Sequence, residues 1–212
     1  GEYDLPKRLD DYRNNDVVVH DLRHQAIVPG LIDAHTHLLW SVDRSREVAW
    51  RHEGKSYADI ANLGGGIQYT VSRTSNASSE VLRKLGYQRL RDALRTGTTH
   101  LEAKSGYGLS TDSELMLLQT MDELGQINHL PSIDPTWMGA HDVPKGTSMD
   151  DYVEAILSDQ LPAVVEQGIA RSADVFCEPG WFSIEHTEAI LKASRSAGLS
   201  LRMHIDEFAD GG

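Results

Sequence analysis

"PGLIDAHTHLLW", Pro29 to Trp40, is almost wholly apolar, yet it carries Asp33 and two histidines, His35 and His37, one residue apart. A Pro-Gly lead before an apolar run reads as a strand entered from a turn, here over residues 30–37. Strand side chains alternate between faces, so residues i and i+2 point the same way. Both imidazoles, with Asp33, are therefore expected on one side. Two neutral imidazoles so placed can reach a Zn²⁺ at the about 2.0–2.1 Å of a Zn–N bond. The bland alternative is a pair of histidines hydrogen-bonded to backbone or carboxylate groups.

The residues beyond Trp40 set the fold class. Strand-like runs recur at "TTHLEAK" (98–104), "IDPTWMGAH" (133–141), "ADVFCE" (173–178) and "LSLRMHIDE" (199–207). Between them lie helical patterns with start and stop signals. One runs from Ser78 to Gly97 with Leu82, Leu85, Leu90 and Leu94 at helical spacing. Another opens on Thr111-x-x-Glu114, read as a capping box, and stops at Gly125. A third runs without a break from Ser148 to Gly168, and a fourth from Ser183 to Gly198. The expected strand ends, Lys104, His141, Glu178 and Glu207, are regularly spaced, about one βα unit apart. Alternation of this kind implies a parallel sheet covered by helices, either doubly wound or a (β/α)₈ barrel. No G-x-G-x-x-G succeeds the first strand, and the chemistry-bearing residues collect at strand C-terminal ends, where barrels keep their sites. The expected fold is thus α/β, a partial (β/α)₈ TIM-like barrel of about five βα units over residues 30–212. Residues 1–29 are an appendage with short strands at 16–20 and 25–30. Between the first and second barrel strands lies an insertion, and its "NLGGGIQYTVSRT" reads as a mobile loop over the site.

The chain has 212 residues, 40% of them hydrophobic, and a net charge of -12. That charge repels phosphate backbones and anionic lipid, so neither nucleic acid nor a membrane surface is an expected partner. A small-molecule substrate is expected, with a homodimer as the expected assembly. The single cysteine, Cys177, fits a reducing compartment, and the cytoplasm is the expected location. The polar first residues hold no apolar signal core, and no apolar run approaches the ~20 residues of a membrane span. The chain starts without Met, as a processed or trimmed product would.

Further candidates stand at the other strand ends. His204 ends a later strand, with Glu207 three residues on; such a carboxylate can take a proton from water and return it to a leaving nitrogen. Its alternative is an Asp206-Glu207 pair capping a helix. His141 ends "TWMGAH", and Tyr107 sits between Gly106 and Gly108 in a tight loop that turns the phenol outward. Packing roles are the alternative for both. Arg44 and Tyr57 fall in the insertion. Lys104 reads as a core lysine paired with Glu102 or Glu178. His20, His24, His52, His100, His129 and His186 lie off the pattern of strand ends.

"PGLIDAHTHLLW" resembles the first-strand metal motif of the amidohydrolase superfamily. "GKSYADIANLGGGI", "GTTHLEAKSGYGL", "MGAHDVP" and "LRMHIDE", in that order, narrow the resemblance to the imidazolonepropionase family, from about Val28 onward. The resemblance implies a hydrolase of histidine degradation that opens a cyclic amide, with one zinc or iron as cofactor. It implies His35, His37 and His204 as metal ligands and Glu207 as the catalytic acid/base, which also touches substrate. It implies Arg44, Tyr57, Tyr107 and His141 as substrate contacts, and 1–29 as part of a small β-domain. Lys104 matches no ligand of that family. The family adds a further histidine and an aspartate ligand, and no residue up to Gly212 matches either. "LLWSVDR" is bulkier than the family's glycine-containing version, which implies a reshaped pocket mouth. A heterocycle deaminase of the same superfamily, or a non-catalytic chain binding metal weakly, remain the alternatives.

Overall fold

A computed structural model describes residue 18 and residues 20–211. Five parallel strands make one sheet: β1 (Leu31–Thr36), β2 (Thr98–Lys104), β3 (Ser132–Ala140), β4 (Ser172–Phe176) and β5 (Ser200–His204). They lie side by side in sequence order. A doubly wound sheet reverses its order at a switch point. Sequential order with right-handed crossovers instead puts every connecting helix on one face, and the sheet curls about the other. The curl is measurable. A flat sheet would hold β1 and β5 about 19 Å apart, four spacings of ~4.8 Å. Yet the side chains of His35 on β1 and His204 on β5 are in hydrogen-bond contact. The fold is a partial TIM-like barrel, as the alternation of elements implied.

The outer layer follows the expected helices, with local differences. The insertion after β1 holds α1 (Arg46–His52), α2 (Tyr57–Asn62) and α3 (Gly66–Thr74), followed by α4 (Ser79–Arg95). The glycine run is therefore not a mobile loop: Gly66 starts α3, and Gly66 and Ile67 are buried. Helix α5 (Thr111–Gly125) takes its cap from Ser110, whose side chain accepts the Ser113 N–H. The capping box expected at Thr111 and Glu114 does not form, because Glu114 turns inward. The stretch from Ser148 to Gly168 is interrupted: α6 (Met149–Ala155) passes through a π turn (Ile156–Gln160) into α7 (Leu161–Gln167). Pro162 in the first turn of α7 lacks the N–H that an unbroken α-helix needs. Helix α8 (Ile184–Ser196) carries a capping box of Ser183 and His186. The core lies between the helices and the sheet, where Leu82, Leu90, Leu118, Met121 and Trp137 are closed to solvent.

Among the described residues, neither edge strand has an outer partner. Leu31 and Ile32 on β1, and Met203 on β5, are exposed, as are Ile27 and Val28 before β1. The strand expected over 25–30 is not formed; this segment is exposed coil with no ladder partner among the described residues, and Pro29 supplies no N–H. The strand expected over 16–20 lies almost wholly outside the described residues. Among the described residues no helix is long and apolar enough to cross a membrane.

Candidate active site

The strand ends and the insertion after β1 bring the candidate residues together in three groups. The first is an imidazole pair. His35 Nε2 lies 2.9 Å from His204 Nε2, and His204 Nδ1 lies 3.0 Å from Asp174 Oδ1 on β4. An ionised carboxylate only accepts, so His204 carries a proton on Nδ1, and its Nε2 is the atom turned to His35. Asp174 is in turn 2.6 Å from Lys104 Nζ, which is also 2.7 Å from Glu102 Oε1. All three are closed to solvent, at 2–3% exposure. Lys104 is thus the core lysine that the sequence suggested, paired with Glu102 and Asp174 rather than with Glu178. Burial pushes the Asp174 carboxyl up, but the His204 hydrogen bond and the Lys104 charge outweigh it and hold it below the usual range. A cavity of about 440 Å³ opens between β1 and β5, lined by His35, Lys104, Asp174, His204 and Glu207 among others.

His37 belongs to the second group. A bulge in β1 between Asp33 and Thr36 breaks the two-residue alternation. His35 consequently faces His204, while His37, past the strand end, stacks on His141 at 4.7 Å and 11° and meets Tyr107 at 4.6 Å. Its buried Nδ1 has no hydrogen-bond partner among the described residues. Asp33 stays exposed, its carboxylate accepting the His35 N–H at 3.4 Å. His141 Nδ1 lies 2.8 Å from the Gly106 carbonyl. A carbonyl only accepts, so His141 carries its proton there and turns a lone pair outward on Nε2. Burial lowers His141 to about 4, and lowers His37 well below the usual imidazole range. Tyr107 is half-buried and raised by burial to about 12. Its phenol lies across the two imidazoles rather than out in solvent.

The third group is aromatic and cationic. Tyr57 packs on Trp181 and Phe208, and Phe176 at the end of β4 touches His141, His204, Trp181 and Phe208. Arg44 donates from Nε and Nη2 to Glu47 at 2.9 and 2.7 Å. Glu47 is buried and also accepts the Gly66 N–H at 2.9 Å. The guanidinium is therefore held as a fork, with its remaining N–H groups free of Glu47. Glu207 is exposed, and its backbone N–H donates to Glu178 Oε1 at 2.6 Å, which pins the turn after β5. Residues 206–209 are bends, so the helix-cap reading of Asp206 and Glu207 finds no helix there among the described residues.

The sequence reading missed Asp174, Glu47 and the Phe176–Trp181–Phe208 cluster. Asp174 had a signal, a carboxylate inside the apolar run "ADVF"; Glu47 had one also, three residues after Arg44. "LLWSVDR" does not border the imidazole cavity. Leu38 and Leu39 are core residues, and Trp40 stacks on the Arg89 guanidinium at 3.4 Å. Arg89 also donates to the Leu38 and Trp40 carbonyls at 2.8 Å.

The donor chemistry at the imidazole pair fits a divalent metal: two ring nitrogens converge, and one ring is oriented from behind by a carboxylate. Among the described residues, no three His, Cys, Asp or Glu side chains converge on one point as a complete set.

No family model matches the chain. It is 45% identical over 189 residues to the imidazolonepropionase of Haloarcula marismortui, covering 89% of this chain and 45% of the relative. The imidazolonepropionase of Shewanella frigidimarina is 43% identical over 188 residues, covering 88% and 46%. That of Solibacter usitatus is 44% identical over 196 residues, covering 91% and 46%. Among solved structures, that of Arabidopsis ADAL complexed with GMP aligns with a TM-score of 0.45 at 14% identity, over 86% of this chain and 59% of that one, too loosely to bear on function. Across about nine-tenths of its length the chain is a sequence relative of the imidazolonepropionases, and it spans about half the length of the curated relatives it matches.

Proposed function

We propose that the chain carries the metal-binding and ring-binding face of a hydrolase that opens 4-imidazolone-5-propanoate to N-formimidoyl-L-glutamate, a step of histidine degradation. The observation that carries this reading is the His35–His204 pair, 2.9 Å apart and backed by Asp174, beside a wall of stacked imidazoles and phenol. His35 and His204 would hold one zinc or iron, with His37 from the same strand end as third ligand. When bound, that metal makes water a nucleophile at neutral pH and polarises the ring carbonyl.

The remaining steps fall to the protein. Water adds to the ring carbonyl carbon, and the adjacent C–N bond breaks. Glu207, at the cavity rim, takes the proton from water and returns it to the leaving nitrogen. His141, proton on Nδ1, offers Nε2 as an acceptor to a ring N–H. Tyr107, tilted against His37 and His141, would wall the ring, and Tyr57, packed on Trp181 and Phe208, would extend that wall. Arg44, held by Glu47, presents its free N–H groups to the propionate carboxylate, which adds affinity more than rate. The free, buried Cys177 suits the cytoplasmic setting of such a reaction.

The reading is tested by offering the complete gene product, loaded with zinc or iron(II), two substrates: 4-imidazolone-5-propanoate and an aminated heterocycle. Ring opening of the first without ammonia release from the second is expected. The reverse pattern would assign a deaminase instead.

A further inference from the structure

The turn that carries Tyr107 is built round a buried carboxylate with no part in the chemistry above. Glu114, at 0% exposure, reaches back from the first turns of α5. Its Oε1 accepts the Gly108 N–H at 2.8 Å and the Leu109 N–H at 3.1 Å, and the Gly106 N–H is shared between Oε2 at 3.0 Å and Oε1 at 3.2 Å. Three backbone donors on either side of Tyr107 thus converge on one side chain. The turn needs such a grip. Leu109 has φ +53° and Gly106 φ +94°, a left-handed conformation that a branched or bulky residue resists.

The two glycines serve the same closeness. A Cβ on Gly108 would lie 2.8 Å from Glu114 Oε1, and one on Gly106 would lie 2.8 Å from His141 Nδ1. The Gly106 residue therefore faces two ways: its N–H is held by Glu114, and its carbonyl receives the His141 Nδ1 proton. A shift of that residue moves both Tyr107 and the hydrogen bond that fixes the His141 tautomer.

We infer that Glu114 is a positioning residue, which sets the Tyr107 turn and, through Gly106, the orientation and tautomer of His141, without touching substrate. The roles of Tyr107 and His141 toward the ring rest on the function proposed above; the clamp on Gly106 does not.

Glu114→Gln and Glu114→Ala in the complete gene product test this. Glutamine keeps one acceptor oxygen for Gly108, Leu109 and the longer 3.2 Å contact from Gly106, but sets an NH₂ group against the shorter Gly106 contact. Three readouts are needed: thermal unfolding, KM and kcat for 4-imidazolone-5-propanoate, and the His141 tautomer from long-range ¹H–¹⁵N spectra. For Glu114→Gln we expect a folded protein, KM raised about tenfold with a smaller change in kcat, and loss of the single Nδ1–H tautomer. Glu114→Ala should go further in the same direction; should it not fold, Glu114→Gln carries the test. A Glu114→Gln protein that only melts earlier, with parental KM, kcat and tautomer, would reduce Glu114 to a structural residue and overturn the inference. No turnover by the parent would sink the ring-opening reading alone, and the tautomer readout would still decide the clamp.

Discussion

His35 and His204 are 169 residues apart in sequence and sit on the two opposite edge strands of the sheet, yet their Nε2 atoms are 2.9 Å apart. Only a curled sheet brings them together, so the fold and the site are one feature. The first prediction concerns His35. It is exposed, so His35→Ala should alter stability by no more than about 0.5 kcal/mol while stripping the bound metal. Metal content by atomic spectroscopy, beside a urea melt, checks this; parental zinc content in the variant would remove His35 from the ligand set.

Asp174 acts behind His204. Asn at this position presents an amide that can accept from Nδ1 but brings no charge, and it can also turn its NH₂ toward the ring. Asp174→Asn should weaken zinc binding by about 10–100-fold by titration calorimetry, the usual cost of losing such a partner. An unchanged affinity would leave the carboxylate a role in the Lys104 network alone.

That network carries its own prediction. Removing the ammonium leaves Glu102 and Asp174 as neighbouring buried carboxylates without their shared partner. Lys104→Met should therefore cost about 3–5 kcal/mol in denaturant unfolding. A loss under about 1 kcal/mol would mean the carboxylates simply take up protons there.

The buried imidazoles set a pH dependence. His141 titrates near 4 when folded against 6.5 ordinarily, because burial disfavours its charged form. Between those values the unfolded chain binds the extra proton. The contribution is thus complete above pH 6.5 and is lost as pH falls toward 4, up to about 3 kcal/mol. Urea melts of metal-free protein from pH 7.5 to 4.5 should show this decline, and His141→Gln should make it shallower. An identical slope in the variant would assign the decline to other groups, His37 first.

Much of the fold was legible in sequence, for a physical reason. A buried parallel strand is a short apolar run, and a helix shows its caps, so all five strands and the four main helical segments stood out. The features that failed were decided by partners outside the local strand or helix pattern. Glu114 fits the pattern of a capping box, but three unpaired N–H groups of the neighbouring turn draw it inward. Residues 25–30 have a strand's composition and, among the described residues, no strand to pair with. The spacing of His35 and His37 implied a shared direction; His35 contacts His204 while His37 stacks on His141, partners that the spacing alone does not name. Asp174 gains its place only from Lys104 and His204, which reach it from two other strands.

The central claim is that the His35–His204 pair serves a metal-dependent ring opening. The most direct measurement tracks N-formimidoyl-L-glutamate formation from 4-imidazolone-5-propanoate by the complete gene product, with and without a chelator, beside its His204→Ala variant. Product formation should stop with the chelator and in the variant. A folded, metal-loaded protein that forms no product, or one that works equally well without His204, would contradict the claim.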